Sequence, residues 1–279
     1  MTPVIRLGST EIIALADGEG TFPFASRDAA FPAAEAGQWA AADSFDPGSV
    51  NAAGRWVLNF RAFAIRGPQG ITVVDAGIGP ADSLAAWTPL PGRLPESLAA
   101  AGIDRAEVDS VVLTHLHTDH VGWAVVTEEA VTTGGAGPSG DRSPFFPNAE
   151  YVLQRAEADA VDALNPELRA ALLEPLQAAG QLRLLDGDAP LRDGARVVAT
   201  PGHTPGHQSV LVDSGRESAV VTGDLLVHAV QLLYLDLAYA YEMDPDEARR
   251  SRERVLRTDG RLHVASSHLT EPFVSFPVG

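Results

Sequence analysis

The sequence contains no cysteine and no lysine. Without cysteine the chain can form neither a disulfide nor a thiolate ligand, so any metal site has to use histidine and carboxylate groups. Its 20 basic residues are all arginine, and with 37 acidic residues they give a formal net charge of -17. Because such a surface repels a polyphosphate, we do not expect nucleic acid as a substrate or partner.

The chain also lacks a long uninterrupted apolar run. Its longest apolar stretch, residues 225–241, is broken by His228, Gln231 and Asp236 and is too short and too polar to span a bilayer. This stretch is therefore predicted to be buried or to line a pocket. The start, MTPVIRLGSTEII, has no basic region followed by an apolar core, so we expect no secretory signal, no membrane partner and a cytoplasmic location.

The chain has 279 residues, of which 45% are hydrophobic and 20% charged, as in an ordinary globular protein. No repeat or linker is visible, and we expect a single domain over residues 1–279. Residues 18–54 are predicted to be a long loop, with a short helix at most, that packs its aromatic side chains over another part of the fold. Residues 132–142 are also predicted to be a loop.

Hydrophobic periodicity predicts an α/β protein. The order of strands, then helices, then strands, then a helix indicates two sheets in contact with helices outside them. Strands are predicted at 4–7, 11–17, 59–66, 71–75, 108–113, 150–153, 182–185, 195–199, 209–213, 219–222 and 262–266, and helices at 95–101, 155–164, 166–179 and 245–257.

Four segments place histidine or aspartate at the end of a predicted strand: THLHTDH (114–120), TPGHTPGH (200–207), VVTGD (220–224) and VASSH (264–268). In the first, His115 and His117 are two apart and face the same side of an extended chain, and Asp119 and His120 follow as the chain turns. Imidazole and carboxylate are the ligands that zinc and similar ions prefer when sulfur is absent. A lone histidine after a strand is more often a core residue than a ligand, but four such strand ends together predict a metal site.

These motifs, together with VVDAGIG at 73–79, resemble the metallo-β-lactamase fold superfamily over most of the chain. The resemblance implies an αββα sandwich of two mixed sheets flanked by helices, with the metal site at one edge of the sheets. It implies seven metal ligands, with Asp224 bridging two ions and Asp75 supporting a ligand from behind. The first ion would be held by His115, His117 and His203, and the second by Asp119, His120 and His268.

The resemblance further implies a hydrolase with two divalent ions, which we expect to be Zn²⁺, although Mn, Fe or Co also suit these ligands. A hydroxide that bridges the ions is the expected nucleophile, because a bound ion lowers the pKa of water from about 15.7 to about 7. Asp119 is the expected catalytic residue, carrying a proton to the leaving alkoxide.

Residue identities separate the branches of this superfamily. Asp224 and the absence of cysteine disfavour the β-lactamases. The flavin-linked di-iron reductases of this fold have glutamate in place of the second histidine of the motif, so His117 disfavours that branch as well. The acidic chain lacks the basic regions of glyoxalase II and of the tRNA-processing relatives. What remains is similar to the lactonases and esterases, including N-acyl homoserine lactonases, and to the methyl-parathion-hydrolase-like phosphotriesterases.

We expect a small hydrophobic lactone or carboxylic ester as substrate, with an organophosphate triester as the alternative. A non-catalytic metal-binding scaffold is the third hypothesis. The aromatic N-terminal segment and residues 225–241 are predicted to form an apolar pocket. Candidate substrate-binding residues are His228, Trp123 and Tyr234, and the sequence does not choose between Tyr234 and its neighbours Tyr239 and Tyr241. Residues 225–241 are also a candidate contact in a homodimer.

Overall fold

A computed structural model describes residues 2–85, 88, 90–127, 129–130, 142–215, 217–257 and 260–276. The loop predicted at 132–142 lies outside this part of the chain except for its last residue. Numbered in chain order, the described strands are β1 Val4–Leu7, β2 Thr10–Thr21, β3 Val57–Gly67, β4 Gly70–Val74, β5 Ser110–Val112, β6 Val125–Thr127, β7 Arg142–Pro144, β8 Glu150–Gln154, β9 Leu182–Leu185, β10 Ala189–Pro190, β11 Ala195–Ala199, β12 Gln208–Asp213, β13 Glu217–Val221, β14 Arg261–Ala265 and β15 Phe273–Phe276.

The described helices are short, apart from two. In chain order they are α1 Arg27–Ala30, α2 Ala36–Phe45, α3 Leu94–Ala100, α4 Thr118–Val121, α5 Arg155–Asp159, α6 Val161–Leu164, α7 Glu174–Ala178, α8 Ala229–Leu233 and α9 Pro245–Leu256. A π-helical turn, Arg169–Leu173, precedes α7, and short 3₁₀ turns lie at Pro47–Ser49, Arg105–Glu107 and Gly223–Leu225. No helix in the described ranges is both long and apolar enough to cross a membrane.

Two mixed sheets form the centre of the fold. The first has the strand order β1-β2-β3-β4-β5-β8-β9, antiparallel up to β4 and parallel from β4 to β9. The second has the order β10-β11-β12-β13-β14-β15 and contains one parallel pair, β13 with β14. The parallel strands are continuous apolar runs because both of their faces are covered; Val111, Val112, Val220 and Val221, for example, have no exposed surface.

Three hydrophobic clusters account for the layers. One lies between the sheets and joins side chains such as Phe63 and Val112 to Val197 and Val210. Another covers the outer face of the first sheet with α3 and the 169–178 segment, and the third covers the outer face of the second sheet with residues of the N-terminal segment, α8 and α9. The predicted αββα sandwich of two mixed sheets flanked by helices is therefore confirmed.

The N-terminal segment is more helical than predicted. Residues 18–54 were expected to be a loop with a short helix at most, but they contain α1, α2 and a 3₁₀ turn. Only Ala42 of α2 is buried, so the helix has no apolar stripe that sequence periodicity could detect. Its alanines favour helix, and a capping box between Glu35 and Gln38 satisfies its first turn.

Candidate metal centre

The seven predicted ligands come together at one edge of the sandwich. The loop after β5 carries His115 and His117, and helix α4, which follows it, carries Asp119 and His120. The turn between β11 and β12 carries one more, and the segments after β13 and β14 carry one each. Because β13 and β14 are parallel neighbours, their carboxyl ends deliver the last two ligands side by side. The side chains form a first ligand group, His115, His117, His203 and Asp224, and a second ligand group, Asp119, His120 and His268, and the ligand atoms of each group lie within 4.8 Å of one another.

The first ligand group has the spacing of a coordination sphere. His117 Nδ1 lies 3.0 Å from His115 Nε2 and 3.0 Å from His203 Nε2. Asp224 Oδ2 lies 3.3 Å from His203 Nε2 and 3.7 Å from His115 Nε2. Ligands at about 2.0–2.1 Å from a tetrahedral zinc ion are about 3.4 Å from one another, so these residues fit a divalent ion.

The second ligand group is similarly compact. His120 Nε2 and His268 Nε2 are 3.3 Å apart, and Asp119 Oδ2 lies 3.7 Å from the first and 3.8 Å from the second. Asp224 also faces this group, because its Oδ1 lies 2.9 Å from His268 Nε2 and 3.1 Å from His120 Nε2. The two carboxylate oxygens of Asp224 are therefore directed at different ligand groups.

Burial keeps the imidazoles of the first ligand group in the neutral form that binds metal. It lowers the pKa of His115 and of His203 well below the usual value, and that of His117 also falls. In the second group burial acts in the same direction, but the carboxylate of Asp224 and its acidic neighbours raise the pKa of His120 and of His268. This acidic half of the site stabilises positive charge, whether a proton or a metal ion supplies it.

The rear nitrogens of two ligand histidines are held by hydrogen bonds. His120 Nδ1 donates to Asp75 Oδ2 at 2.8 Å, and His268 Nδ1 donates to the backbone oxygen of Asn59 at 2.8 Å. These bonds leave Nε2 of each ring directed at the ligand group. Asp75 Oδ1 also accepts the Thr114 N–H at 2.8 Å, so Asp75 lies behind His120 and is not among the ligand atoms of either group.

The glycine that precedes Asp224 allows the backbone to pass close to Thr114 and His207. Gly223 has φ 51°, and a Cβ at this position would lie 2.7 Å from the Thr114 hydroxyl and 2.9 Å from His207 Nε2. His207 Nε2 accepts the Asp224 N–H at 3.0 Å, and the hydroxyl of Thr200 is 2.8 Å from His207 Nδ1. Burial lowers the pKa of His207 to about 4, so the ring remains neutral and can accept this bond.

Five of the seven side chains, His117, Asp119, His203, Asp224 and His268, lie at the floor of a cavity of about 380 Å³, and His115 and His120 are buried beneath them. Aromatic and aliphatic side chains make up much of its wall, and none of the described residues that line it is an arginine. The lining residues are Phe22, Phe24, Trp56, Leu58, Leu84, His117, Thr118, Asp119, Asn165, His203, Asp224, Val227, Tyr239, Tyr241 and His268.

Three residues predicted to bind substrate are not among the described residues that line this cavity. Trp123 is fully buried in the core, where its indole N–H donates to Asp17 at 3.1 Å. Tyr234 packs on the outer face of the second sheet, just after α8 ends. His228 is buried behind the wall, where its Nδ1 accepts the Val230 N–H at 3.0 Å and caps α8.

Two other tyrosines line the cavity instead. The ring of Tyr239 stacks on that of His203, with centroids 6.1 Å apart and an interplanar angle of 12°. Burial, together with the negative charges of Asp224 and Asp119, raises the pKa of the Tyr239 phenol, so its hydroxyl remains a hydrogen-bond donor. Tyr241 lies further out, with 44% of its surface exposed.

Sequence reasoning did not single out two residues next to the site. Asn165 lines the cavity, and its side-chain nitrogen donates to the Leu116 backbone oxygen at 2.8 Å. Glu157 is completely buried and accepts hydrogen bonds from two ligand-bearing loops. Neither residue lies in a metal motif. A glutamate on a short helix is normally exposed, so the local sequence does not indicate that Glu157 is buried next to the site.

The chain belongs to the metallo-beta-lactamase superfamily, whose family model matches residues 61–268. It is similar to an N-acyl homoserine lactonase of Bacillus cereus, with 27% identity over 155 residues that cover 56% of this chain and 48% of that protein. The match thus spans about half the length of this relative.

Solved structures share the fold over nearly the whole chain. A hydrolase of the beta lactamase superfamily, AbOPH, superposes with a TM-score of 0.74 and 25% identity, covering 97% of this chain and 91% of its own. AidC, described as a dizinc quorum-quenching lactonase, superposes with a TM-score of 0.73 and 21% identity, covering 100% of this chain and 97% of its own.

Proposed function

We propose that this protein is a hydrolase that uses two divalent metal ions to open a lactone or cleave a carboxylic ester with an apolar acyl group. The observation that carries the proposal is Asp224, whose two oxygens face two separate ligand groups on the floor of a largely apolar cavity. The similarity to proteins named N-acyl homoserine lactonases supports the same class of reaction.

His115, His117 and His203 would hold one ion, Asp119, His120 and His268 the other, and Asp224 would bridge them. Zn²⁺ is the expected metal, and Mn, Fe or Co suit the same ligands. Bound ions would supply a water acidic enough to attack at neutral pH and positive charge to stabilise the developing oxyanion. The protein contributes five imidazoles and two carboxylates that are already close together before any ion binds.

Two cavity residues are placed to act on the substrate itself. Asp119 lines the cavity, and 12% of its side chain is exposed, so its carboxylate can receive the proton of the attacking water and pass it to the leaving alkoxide. The Tyr239 hydroxyl can donate a hydrogen bond to the substrate carbonyl oxygen, a bond that strengthens as negative charge develops there.

The cavity wall favours a neutral substrate with an apolar acyl group. Phe22 packs against Trp56 with ring centroids 4.9 Å apart and against Tyr241 at 5.9 Å, which forms a continuous aromatic surface. The described wall offers no guanidinium to a substrate carboxylate or phosphate. A neutral lactone or ester needs no such partner.

Hydrolysis assays on zinc-loaded protein test the proposal. The panel contains N-acyl homoserine lactones of several chain lengths, simple lactones, aryl esters and an aryl dialkyl phosphotriester, with chelator-treated protein as control. We expect kcat/KM to be highest for a lactone or ester with a medium-length acyl chain, and activity to disappear with the metal. Faster turnover of the triester than of every lactone and ester would contradict the substrate class, and an inert zinc-loaded protein would contradict the enzyme.

A further inference from the structure

A buried carboxylate joins the two loops that carry the imidazoles of the first ligand group. Glu157 has no exposed surface. Its Oε1 accepts the N–H of Leu116 at 2.9 Å, and its Oε2 accepts the N–H of Gly206 at 2.9 Å. Leu116 immediately precedes His117, and Gly206 follows His203 by three positions. One side chain therefore sets the distance between two loops that are far apart in sequence.

The close approach of the second loop depends on the glycine. A Cβ on Gly206 would lie 2.2 Å from the backbone nitrogen of Glu157, so no larger residue fits there without a shift. Both hydrogen bonds of Glu157 are charge-assisted and shielded from water, which makes each stronger than an ordinary bond between neutral groups. Loss of one acceptor would also leave a buried backbone N–H without a partner.

A buried guanidinium holds a loop of the second ligand group in a similar way. Arg61 on β3 is 8% exposed and donates to the backbone oxygens of Ser266, Leu269 and Thr270, with Arg61 Nη2 2.6 Å from the Thr270 oxygen and Arg61 Nη1 3.4 Å from the Ser266 oxygen. These carbonyls flank His268 on both sides. The same strand therefore fixes the His268 loop through Arg61 as well as through the Asn59 oxygen.

We infer that Glu157 and Arg61 are separate positioning residues, Glu157 for the first ligand group and Arg61 for the second. The inference rests on the proposed two-metal function. Neither side chain is a ligand in either group, and each acts through the backbone of a ligand-bearing loop. Each substitution should therefore weaken one ion selectively.

Two substitutions test this division. Glu157→Gln keeps the packing but replaces one acceptor oxygen with an N–H₂ donor that faces a backbone N–H. Arg61→Met keeps most of the side-chain volume but removes every donor, and Arg61→Lys restores part of the donor function. Asp159→Asn changes an exposed carboxylate on the same helix as Glu157 and is the matched control.

The measurement is a Zn²⁺ titration of each metal-free, folded protein, followed by ¹H–¹⁵N spectra that resolve the eight histidines. We expect Glu157→Gln to weaken binding at His115, His117 and His203 by about 10- to 100-fold, and Arg61→Met to weaken binding at His120 and His268 by a similar factor. The other ion in each variant should change by less than about threefold, Arg61→Lys should recover part of the loss, and Asp159→Asn should match wild type.

Each remaining outcome contradicts the inference in a recognisable way. Equal weakening of both ions in both variants would show that these residues stabilise the site as a whole. Unchanged affinities in variants that bind two ions would show that the loops hold their positions without Glu157 and Arg61. Either result would overturn the inference and leave the proposed function standing, whereas a wild-type protein that binds no zinc would overturn both.

Discussion

Replacement of Asp75 by asparagine should damage the second ligand group without removing a ligand. Asp75 accepts hydrogen bonds from His120 Nδ1 at 2.8 Å, from the Thr114 N–H at 2.8 Å and from the Thr114 hydroxyl at 3.0 Å. Asparagine has a single acceptor oxygen, and its N–H₂ group would face either Thr114 or His120. An N–H₂ group that faces Nδ1 of His120 shifts the ring proton to Nε2, the nitrogen that has to bind the ion.

The expected magnitude follows from this change of tautomer. Loss of the partner behind a metal-binding histidine lowers metal affinity by about 10- to 100-fold, which corresponds to about 1.4 to 2.8 kcal/mol. The metal-free protein should also lose about 1 to 3 kcal/mol in its free energy of unfolding, because a buried donor loses its charged acceptor. Asp75 has φ 63°, a conformation that asparagine tolerates, so the backbone adds little to either effect.

Zinc titration by calorimetry and urea unfolding of the metal-free protein measure the two effects. Asp193→Asn is the matched control, because Asp193 also has a positive φ (53°) and its carboxylate accepts the Gln69 N–H at 3.1 Å, yet it does not line the cavity. We expect zinc affinity to fall in Asp75→Asn and to stay at the wild-type value in Asp193→Asn. Affinity within twofold of wild type in Asp75→Asn would refute the argument from the tautomer.

Two further substitutions probe the cavity and its surroundings. Tyr239→Phe keeps the ring on His203 but removes the hydroxyl, so kcat for the best lactone or ester should fall by about 100-fold with little change in KM. Steady-state kinetics measure this effect, and a kcat within twofold of wild type would exclude the hydrogen bond to the substrate. Burial, with Arg27 acting in the same direction, lowers the pKa of His228 to about 4. Since unfolded histidine titrates near 6.5, this residue stabilises the folded protein above that pH, and the stabilisation is lost as the pH falls toward 4. His228→Asn keeps an acceptor for the Val230 N–H. It should therefore reduce the loss of unfolding free energy between pH 7 and pH 5 by about 2 kcal/mol, measured by urea unfolding of the metal-free protein. The same pH dependence in variant and wild type would show that His228 is not the group that titrates.

The sandwich and the convergence of the seven histidine and aspartate side chains could be predicted from the sequence because both follow from local patterns. Strands β5 and β13 end in buried valines, and His115 and Asp224 each lie three positions after the strand end. The parallel pairing of β13 with β14 then brings Asp224 and His268 to the same edge of the fold.

The cavity wall could not be predicted in the same way. The sequence does not choose among the three tyrosines of residues 225–241. In the structure α8 ends at Leu233, Tyr234 lies outside the cavity and Tyr239 lines it. Trp123 lies three positions after the histidine motif, but its indole is buried in the core, where it donates a hydrogen bond to Asp17. The choice between these residues depends on contacts that are distant in sequence.

Glu157 shows the same dependence on tertiary structure. Its neighbours in sequence are typical of an exposed helix, and its role becomes visible only when Leu116 and Gly206 are brought against it. Helix α2 was not predicted because it buries a single alanine and therefore has no apolar face that hydrophobic periodicity could detect.

Zinc content is the most direct test of the claim that the seven side chains hold two ions. The protein is stripped with chelator, reconstituted with excess Zn²⁺, separated from free metal and analysed by mass spectrometry of the metal against protein concentration. We predict two zinc ions per chain, and one after Asp119→Ala, which removes a carboxylate from the second ligand group alone. A folded wild-type chain that retains one ion or none would contradict the two-metal centre.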